Sequence, residues 1–215
     1  MMKKHILCYG DSNTWGYCAA TGGRYGDDVR WTRLLQEMLG ADYLVAEAGL
    51  NGRTTVFEDP LNEGLNGLHH LLPAMSHHCP LDLLVIMLGT NDTKERFAAT
   101  PRNITDGLRR LVNKAKGLDL LFNGGSPRIL IVAPIKIDER IYAEPLVAPG
   151  MGAGCVEKSH ALPALFEALA AELGCDFMDC NPHVTPAYGD FMHFDPDSNQ
   201  RFAVALTDKI KEILG

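Results

Sequence analysis

The sequence predicts an α/β fold in which helices wrap both faces of an open parallel sheet. Two observations carry this. Short apolar runs rich in Ile, Leu and Val recur along the chain and stop at Gly or Pro, as strands buried on both faces do. Between them lie stretches with apolar residues at helical spacing, so that strand and helix alternate five times. The length agrees. The 215 residues suit one domain spanning the whole chain. A chain of this size buries roughly 70% of its unfolded surface without disulfide staples.

The first strand is expected at residues 5–9, ahead of Gly10. A helix follows over residues 28–39, where Val29, Trp31, Leu34, Leu35, Met38 and Leu39 mark the inner face and Gly40 the stop. Residues 43–47 read as a weaker strand, and residues 83–88 as a strong one. Thr100 is a plausible N-cap and Pro101 suits a first helical position. Ile104, Leu108, Leu111, Val112 and Ala115 then supply that helix's inner face. A third strong strand is expected at 128–133, a helix at Cys155–Leu173, and a weak strand at 176–178. The last helix is Pro196–Leu214, with Phe202, Val204, Leu206, Ile210 and Ile213. Residues 49–67 and 134–154 are rich in Gly, Pro and Asn-Gly turns and read as long loops, which usually cover a site or contact another subunit.

Composition narrows the function. Apolar residues are 46% and charged residues 22%, which argues against a disordered or fibrous chain. The net charge is -7 without a Lys/Arg cluster, a poor match to nucleic acid or an anionic membrane. The longest apolar run, 83–88, falls far short of the ~20 residues a membrane span needs. The N-terminal residues show no secretory apolar stretch of about 7–15 residues, so a cytoplasmic location is expected. The six cysteines contain no Cys-x-x-Cys pair and read as reduced, mostly buried small residues. His69-His70 and His77-His78 match no common zinc spacing and read as solvated or loop histidines.

Ligands of open α/β sheets bind beyond the carboxyl ends of the strands. Three polar clusters fall there: Gly10 to Thr14 after the first strand, Gly89 to Asp92 after the third, and Asp190 to His193 before the last helix. A serine becomes nucleophilic when a base takes its proton, and an imidazole titrates in the right range. Asp190 precedes His193 by three residues and can accept from its other ring nitrogen. Glycines let backbone N–H groups approach a developing oxyanion, and the Asn91 amide adds a donor. Each cluster alone reads as an ordinary turn. Their joint placement is the signal.

Gly10-Asp11-Ser12-Asn13-Thr14-Trp15-Gly16 resembles the first block of the SGNH (GDSL-type) hydrolases. Gly49-Leu50-Asn51-Gly52-Arg53-Thr54-Thr55 takes the place of their Gly block, Gly89-Thr90-Asn91-Asp92 of their Asn block, and Asp190-Phe191-Met192-His193 of their Asp-x-x-His block. The blocks run in the family's order over nearly the whole chain. Residues 28–32, 52–55 and 86–94 resemble the arylesterase-like subgroup, some members of which are acyltransferases.

The resemblance implies a flavodoxin-like three-layer α/β/α sandwich with five parallel strands. It makes Ser12 the nucleophile, His193 the base and Asp190 its orienting partner. The oxyanion hole would comprise the Ser12 and Gly52 N–H groups and the Asn91 side chain, with Gly49 an alternative to Gly52. The substrate pocket is expected to draw on Asp11, Asn13, Trp15, Thr93, Lys94, Phe191 and Met192. Trp31 reads as core. Arg53 and Lys94 are able to hold an anionic substrate group, although each alone reads as a surface charge. No metal and no organic cofactor is implied. The expected partner is a small-molecule ester, and the expected assembly a homo-oligomer with contacts from 134–154. The implied activity is serine esterase action on short acyl or aryl esters, with acyl transfer to alcohols. The alternatives are a carbohydrate deacetylase, such as an acetyl-xylooligosaccharide esterase, and a non-catalytic flavodoxin-like binding module.

Overall fold

Five parallel strands form the centre of the molecule in the order β2-β1-β3-β4-β5. They are β1 (Lys4–Gly10), β2 (Tyr43–Gly49), β3 (Leu83–Met87), β4 (Ile129–Ala133) and β5 (Asp176–Asp179). The structure is a computed structural model that describes residues 3–215. Residues 1 and 2, part of the stretch read for a secretory segment, lie outside the described residues. All five expected strands are present.

Alternating side chains of β1 build two cores. Ile6 and Cys8 face α2 (Trp31–Leu39) and α7 (Pro196–Leu214), where Trp31, Leu35, Phe202, Leu206 and Ile210 are buried. Leu7 and Tyr9 face α3 (Gly67–His78), α4 (Pro101–Lys116) and α6 (Cys155–Leu173), with Met75, Leu108, Leu111, Phe166 and Leu169. The result is a three-layer α/β/α sandwich, as the resemblance implies. The apolar area in each core supplies the main driving force for the stack.

The helix ends follow local chemistry. Thr100 accepts from the Asn103 N–H, and the Asn103 side chain returns the bond, so Thr100-Pro101 opens α4 with a capping box. Asp195 accepts from the Ser198 N–H at 2.6 Å to open α7. The helix expected from residue 28 begins instead at Trp31. Arg30 is its N-cap with an extended backbone, held by hydrogen bonds to Glu47, Asp27 and the Tyr25 carbonyl. Val204 is largely exposed and does not share the inner face of α7.

Helix α3 is absent from the sequence reading. Asn66 caps it through the Leu68 and His69 N–H groups, and Pro73 sits inside it. His69, His70 and His77 are solvated, as one of the two readings had it, but all four histidines sit on a helix and not in a loop. Residues 134–154 contain a short 3-10 segment, Glu139–Ala143, and α5 (Ala148–Met151). All six cysteines are free; Cys8, Cys18, Cys155 and Cys180 are buried and Cys79 is exposed.

The strand order reverses at β1, because β2 lies on one side of it and β3 on the other. The crevice beyond the carboxyl ends of β1 and β3 is thus the topological switch point, where open α/β sheets bind ligands. Segments 11–16 and 89–94 flank it.

Candidate active site

Ser12 is the first residue of α1 (Ser12–Trp15), directly after β1. Its hydroxyl donates to Nε2 of His193 at 2.8 Å. His193 donates through Nδ1 to Asp190 at 2.7 Å. The second Asp190 oxygen accepts the backbone N–H groups of Met192 and His193, each at 3.1 Å. Burial opposes the charged form of Asp190. The His193 hydrogen bond and charge and the two N–H groups outweigh it and hold the carboxyl below its ordinary range. Tyr17 lies against the imidazole with ring centroids 4.5 Å apart, so His193 is 5% exposed. Ser12 and the Asp190–His193 pair, set apart by most of the chain, form one continuous hydrogen-bond relay.

Ser12, Gly52 and Asn91 line one cavity. Among the described residues the Ser12 and Gly52 N–H groups meet no acceptor. The Asn91 amide gives one hydrogen to the Arg53 carbonyl at 3.1 Å and retains the other. Gly52 lines the cavity at φ 82, whereas Gly49 ends β2 opposite Gly10. A Cβ at Gly49 would overlap the backbone of Thr14 and Trp15. Gly49 lets α1 pack closely on the sheet, and Gly52 lines the cavity.

The cavity above Ser12 has a volume of about 320 Å³. Ser12, Asn91, Lys94, Met192 and His193 line it. Asp11, Asn13, Trp15, Thr93 and Phe191 do not. Asp11 is fully buried beneath Ser12 and accepts the Asn13 N–H, and burial pushes its carboxyl above the ordinary range. Asn13 points away from the cavity: it donates to the Met192 carbonyl and accepts the Phe194 N–H. Trp15 lies under the Arg24 guanidinium. Thr93 turns back to the Thr90 carbonyl. Phe191 adopts φ 59 and packs with Ile137, Ile141 and Met151, under Arg140. Neighbours in sequence of the reactive residues thus anchor the loops from behind.

The remaining wall comes from residues the sequence reading did not select: Tyr17, Asn51, Thr90, Arg96, and Leu146, Val147 and Met151 of segment 134–154. Tyr17 follows the first motif block, Asn51 and Thr90 lie inside the Gly and Asn blocks, and the last three belong to a segment whose unusual length is a signal. Arg53 is buried, not a surface charge. It stacks on Tyr9 at 4.2 Å and donates to the carbonyls of Gly10 and Ala48, bracing the ends of β1 and β2. Burial lowers its pKa.

Residues 8–201 match the profile of the GDSL-like Lipase/Acylhydrolase family. No curated protein matches the sequence. Among solved structures, the aryl esterase of M. smegmatis is 36% identical with a TM-score of 0.90, over 98% of this chain and 100% of that one. Est24, a carbohydrate acetylesterase from Sinorhizobium meliloti, is 34% identical with a TM-score of 0.88, again over 98% and 100%. Another carbohydrate acetylesterase family member from Sinorhizobium meliloti is 38% identical with a TM-score of 0.91, over 99% of each chain. The fold and site thus define an SGNH-type serine ester hydrolase. The chain belongs to the GDSL-like lipase/acylhydrolase family.

Proposed function

We propose that this enzyme hydrolyses small esters, with short acyl or aryl groups, through an acyl-enzyme on Ser12. The observation that carries this is the Ser12–His193–Asp190 relay at the floor of the cavity. Ser12 Oγ attacks the acyl carbon while its proton passes to His193 Nε2. The oxyanion accepts hydrogen bonds from the Ser12 and Gly52 N–H groups and the Asn91 amide. The leaving alkoxide takes the proton from His193. Water then yields a proton to His193 and attacks the acyl-enzyme, and the acid departs with Ser12 regenerated.

A cavity of about 320 Å³ supports a small acyl group, since ligand pockets run from roughly 300 to 1,000 Å³. Leu146, Val147 and Met151 make one wall apolar. An apolar wall admits an alcohol in place of water, which supports acyl transfer as a second outcome of the same acyl-enzyme. Trp15 and Phe191, expected to supply that apolar character, lie elsewhere.

Hydrolysis of p-nitrophenyl esters from acetate to octanoate tests the reading. The expected result is activity on the short chains, abolished in Ser12→Ala. Turnover by Ser12→Ala at the parent rate would refute it. Carbohydrate deacetylation is the second reading, favoured by Asn51 and Tyr17 on the cavity wall, groups able to bond sugar hydroxyls. Acetate release from acetylated xylooligosaccharides, compared with p-nitrophenyl acetate, separates the two. A homo-oligomer is the proposed assembly, supported by Leu146 being 90% exposed. Light scattering at working concentration measures it.

A further inference from the structure

The cavity wall carries Lys94, Arg96 and His193 and not one carboxylate among its described lining residues. The whole chain has a net charge of -7. A cationic cavity on an acidic protein is a local arrangement, not a consequence of composition.

The two long cations differ in state. Arg96 is satisfied: it pairs with Asp59 at 2.9 Å, donates to the Gly150 carbonyl at 3.1 Å and lies beside Phe97. Asp59 is itself held by the Leu61 N–H, so its charge is committed to that turn. Asp92 is bound to Thr55, and Asp11 lies beneath Ser12 on the Asn13 N–H. Glu95 accepts the Ala153 N–H and does not line the cavity. Lys158 donates to the Thr93 carbonyl. Lys94 alone is uncommitted. It follows the turn Asn91–Thr93, is half-buried, and among the described residues its Nζ meets no acceptor. Burial, with the neighbouring Arg96 charge, pulls its pKa down. The Lys94 stem is half-buried while its ammonium reaches the solvent of the cavity, and an anion entering there replaces that solvent with a charge-assisted hydrogen bond.

We propose that Lys94 selects esters that carry a carboxylate, pairing with that anion while the ester carbonyl sits over Ser12. This rests on the serine-esterase reading of the site and names the substrate class within it. The carboxylate belongs either to the acyl part, as in a half-ester of a dicarboxylic acid, or to the alcohol part. The chemistry at Lys94 is the same. The apolar residues Val147 and Met151 lower the local dielectric and strengthen the pair.

The test uses two matched pairs of substrates. Mono-4-nitrophenyl succinate and its methyl ester place the charge on the acyl part. 4-Acetoxybenzoate and its methyl ester place it on the leaving group. The measured quantity is kcat/KM for the parent divided by that for Lys94→Met, which keeps an apolar stem of similar length. In one of the two pairs this quotient is expected to be about tenfold or more larger for the charged ester. Which pair responds identifies the side of the ester that carries the anion. Lys94→Arg restores part of the discrimination, and high salt shrinks it. A lysine that merely packs against the wall lowers charged and neutral esters alike. Equal quotients in both pairs, with turnover intact, overturn this proposal and leave the esterase reading standing. A folded parent that hydrolyses none of the four esters and is not labelled at Ser12 by a fluorophosphonate overturns both.

Discussion

Asp92 holds Thr55 by both its backbone and its side chain. The carboxylate accepts the Thr55 N–H, at 2.9 Å to one oxygen, and the Thr55 hydroxyl. The segments joined are those that carry Gly52 and Asn91, the two outer donors of the proposed oxyanion hole. The Asn91 bond to the Arg53 carbonyl is a second tie between the same segments. The donors are thus fixed relative to each other before substrate arrives, as electrostatic preorganisation requires.

This clasp sets a pH dependence of stability. Asp92 is buried, and burial, with the nearby Asp11 charge, raises its carboxyl to about 6 against the opposing Thr55 bonds. Between the unfolded value of 3.8 and about 6 the native state binds the extra proton, so this residue's contribution falls as pH rises through that window. The loss amounts to roughly 3 kcal/mol at most. Asp190 acts in the opposite sense: its lowered pKa adds stability that is present above the unfolded value and lost as pH falls. Asp92→Asn keeps one acceptor for Thr55 and removes the buried charge. Urea unfolding at pH 4 and pH 7 is expected to show the variant gaining on the parent at the higher pH. A constant difference would contradict this assignment.

The two glycines of the Gly block separate by substitution. Gly49→Ala forces a methyl group into the Thr14–Trp15 backbone, so a large loss of Tm is expected whatever the activity. Gly52→Ala places alanine at φ 82, which costs about 1–2 kcal/mol. The atoms nearest its Cβ belong to the Leu65 side chain, at 2.8 Å, which can rotate away. The Gly52→Ala protein is expected to fold and to lose kcat more than it raises KM. Thermal melts beside steady-state kinetics check both outcomes.

Asp190→Asn leaves the shape of the relay in place but no longer stabilises an imidazolium at His193. By analogy with other Ser-His-Asp enzymes, kcat is expected to drop by about 10⁴ with KM little changed. Stopped-flow acylation with p-nitrophenyl acetate isolates the step. An unchanged acylation rate would assign the proton chemistry elsewhere.

The layers of the fold were legible because β1, β3 and β4 are buried on both faces and therefore read as unbroken apolar runs. Helix α3 was not. Pro73 lies in its middle and four of its twelve residues are histidines, so it lacks a clear apolar stripe. Ser12, Asn91, Asp190 and His193 were legible because a serine, an amide, a carboxylate and an imidazole at strand ends are rare together. The cavity wall was less so. Proximity in sequence to Ser12 or His193 says little about which way a side chain turns: Asn13 and Phe191 turn inward to hold the loops. Leu146, Val147 and Met151 reach the cavity only because the segment after β4 folds back over β3's end, which no local pattern encodes.

Asn13 tests that lesson. Its side chain donates to the Met192 carbonyl at 3.2 Å and accepts the Phe194 N–H at 3.0 Å, so it binds both residues that flank His193. Its own carbonyl accepts the Trp31 indole N–H at 2.8 Å, which fixes it to α2. The serine and the histidine are thus carried on segments stitched together by the residue next to the serine. Asn13→Leu keeps the volume, removes both side-chain bonds and leaves the Phe194 N–H unpaired in a buried place, at a cost of about 1–3 kcal/mol. Because reacting groups must be held to a fraction of an ångström, a fall in kcat of about 10²-fold is expected with KM nearly unchanged. A pocket-lining role would produce the reverse split, with KM altered and dependent on acyl length. Kinetics of Asn13→Leu on p-nitrophenyl acetate and butyrate therefore decide between stitching and lining: a kcat loss equal for the two esters assigns Asn13 to the stitch, and a loss that varies with the acyl chain returns it to the pocket.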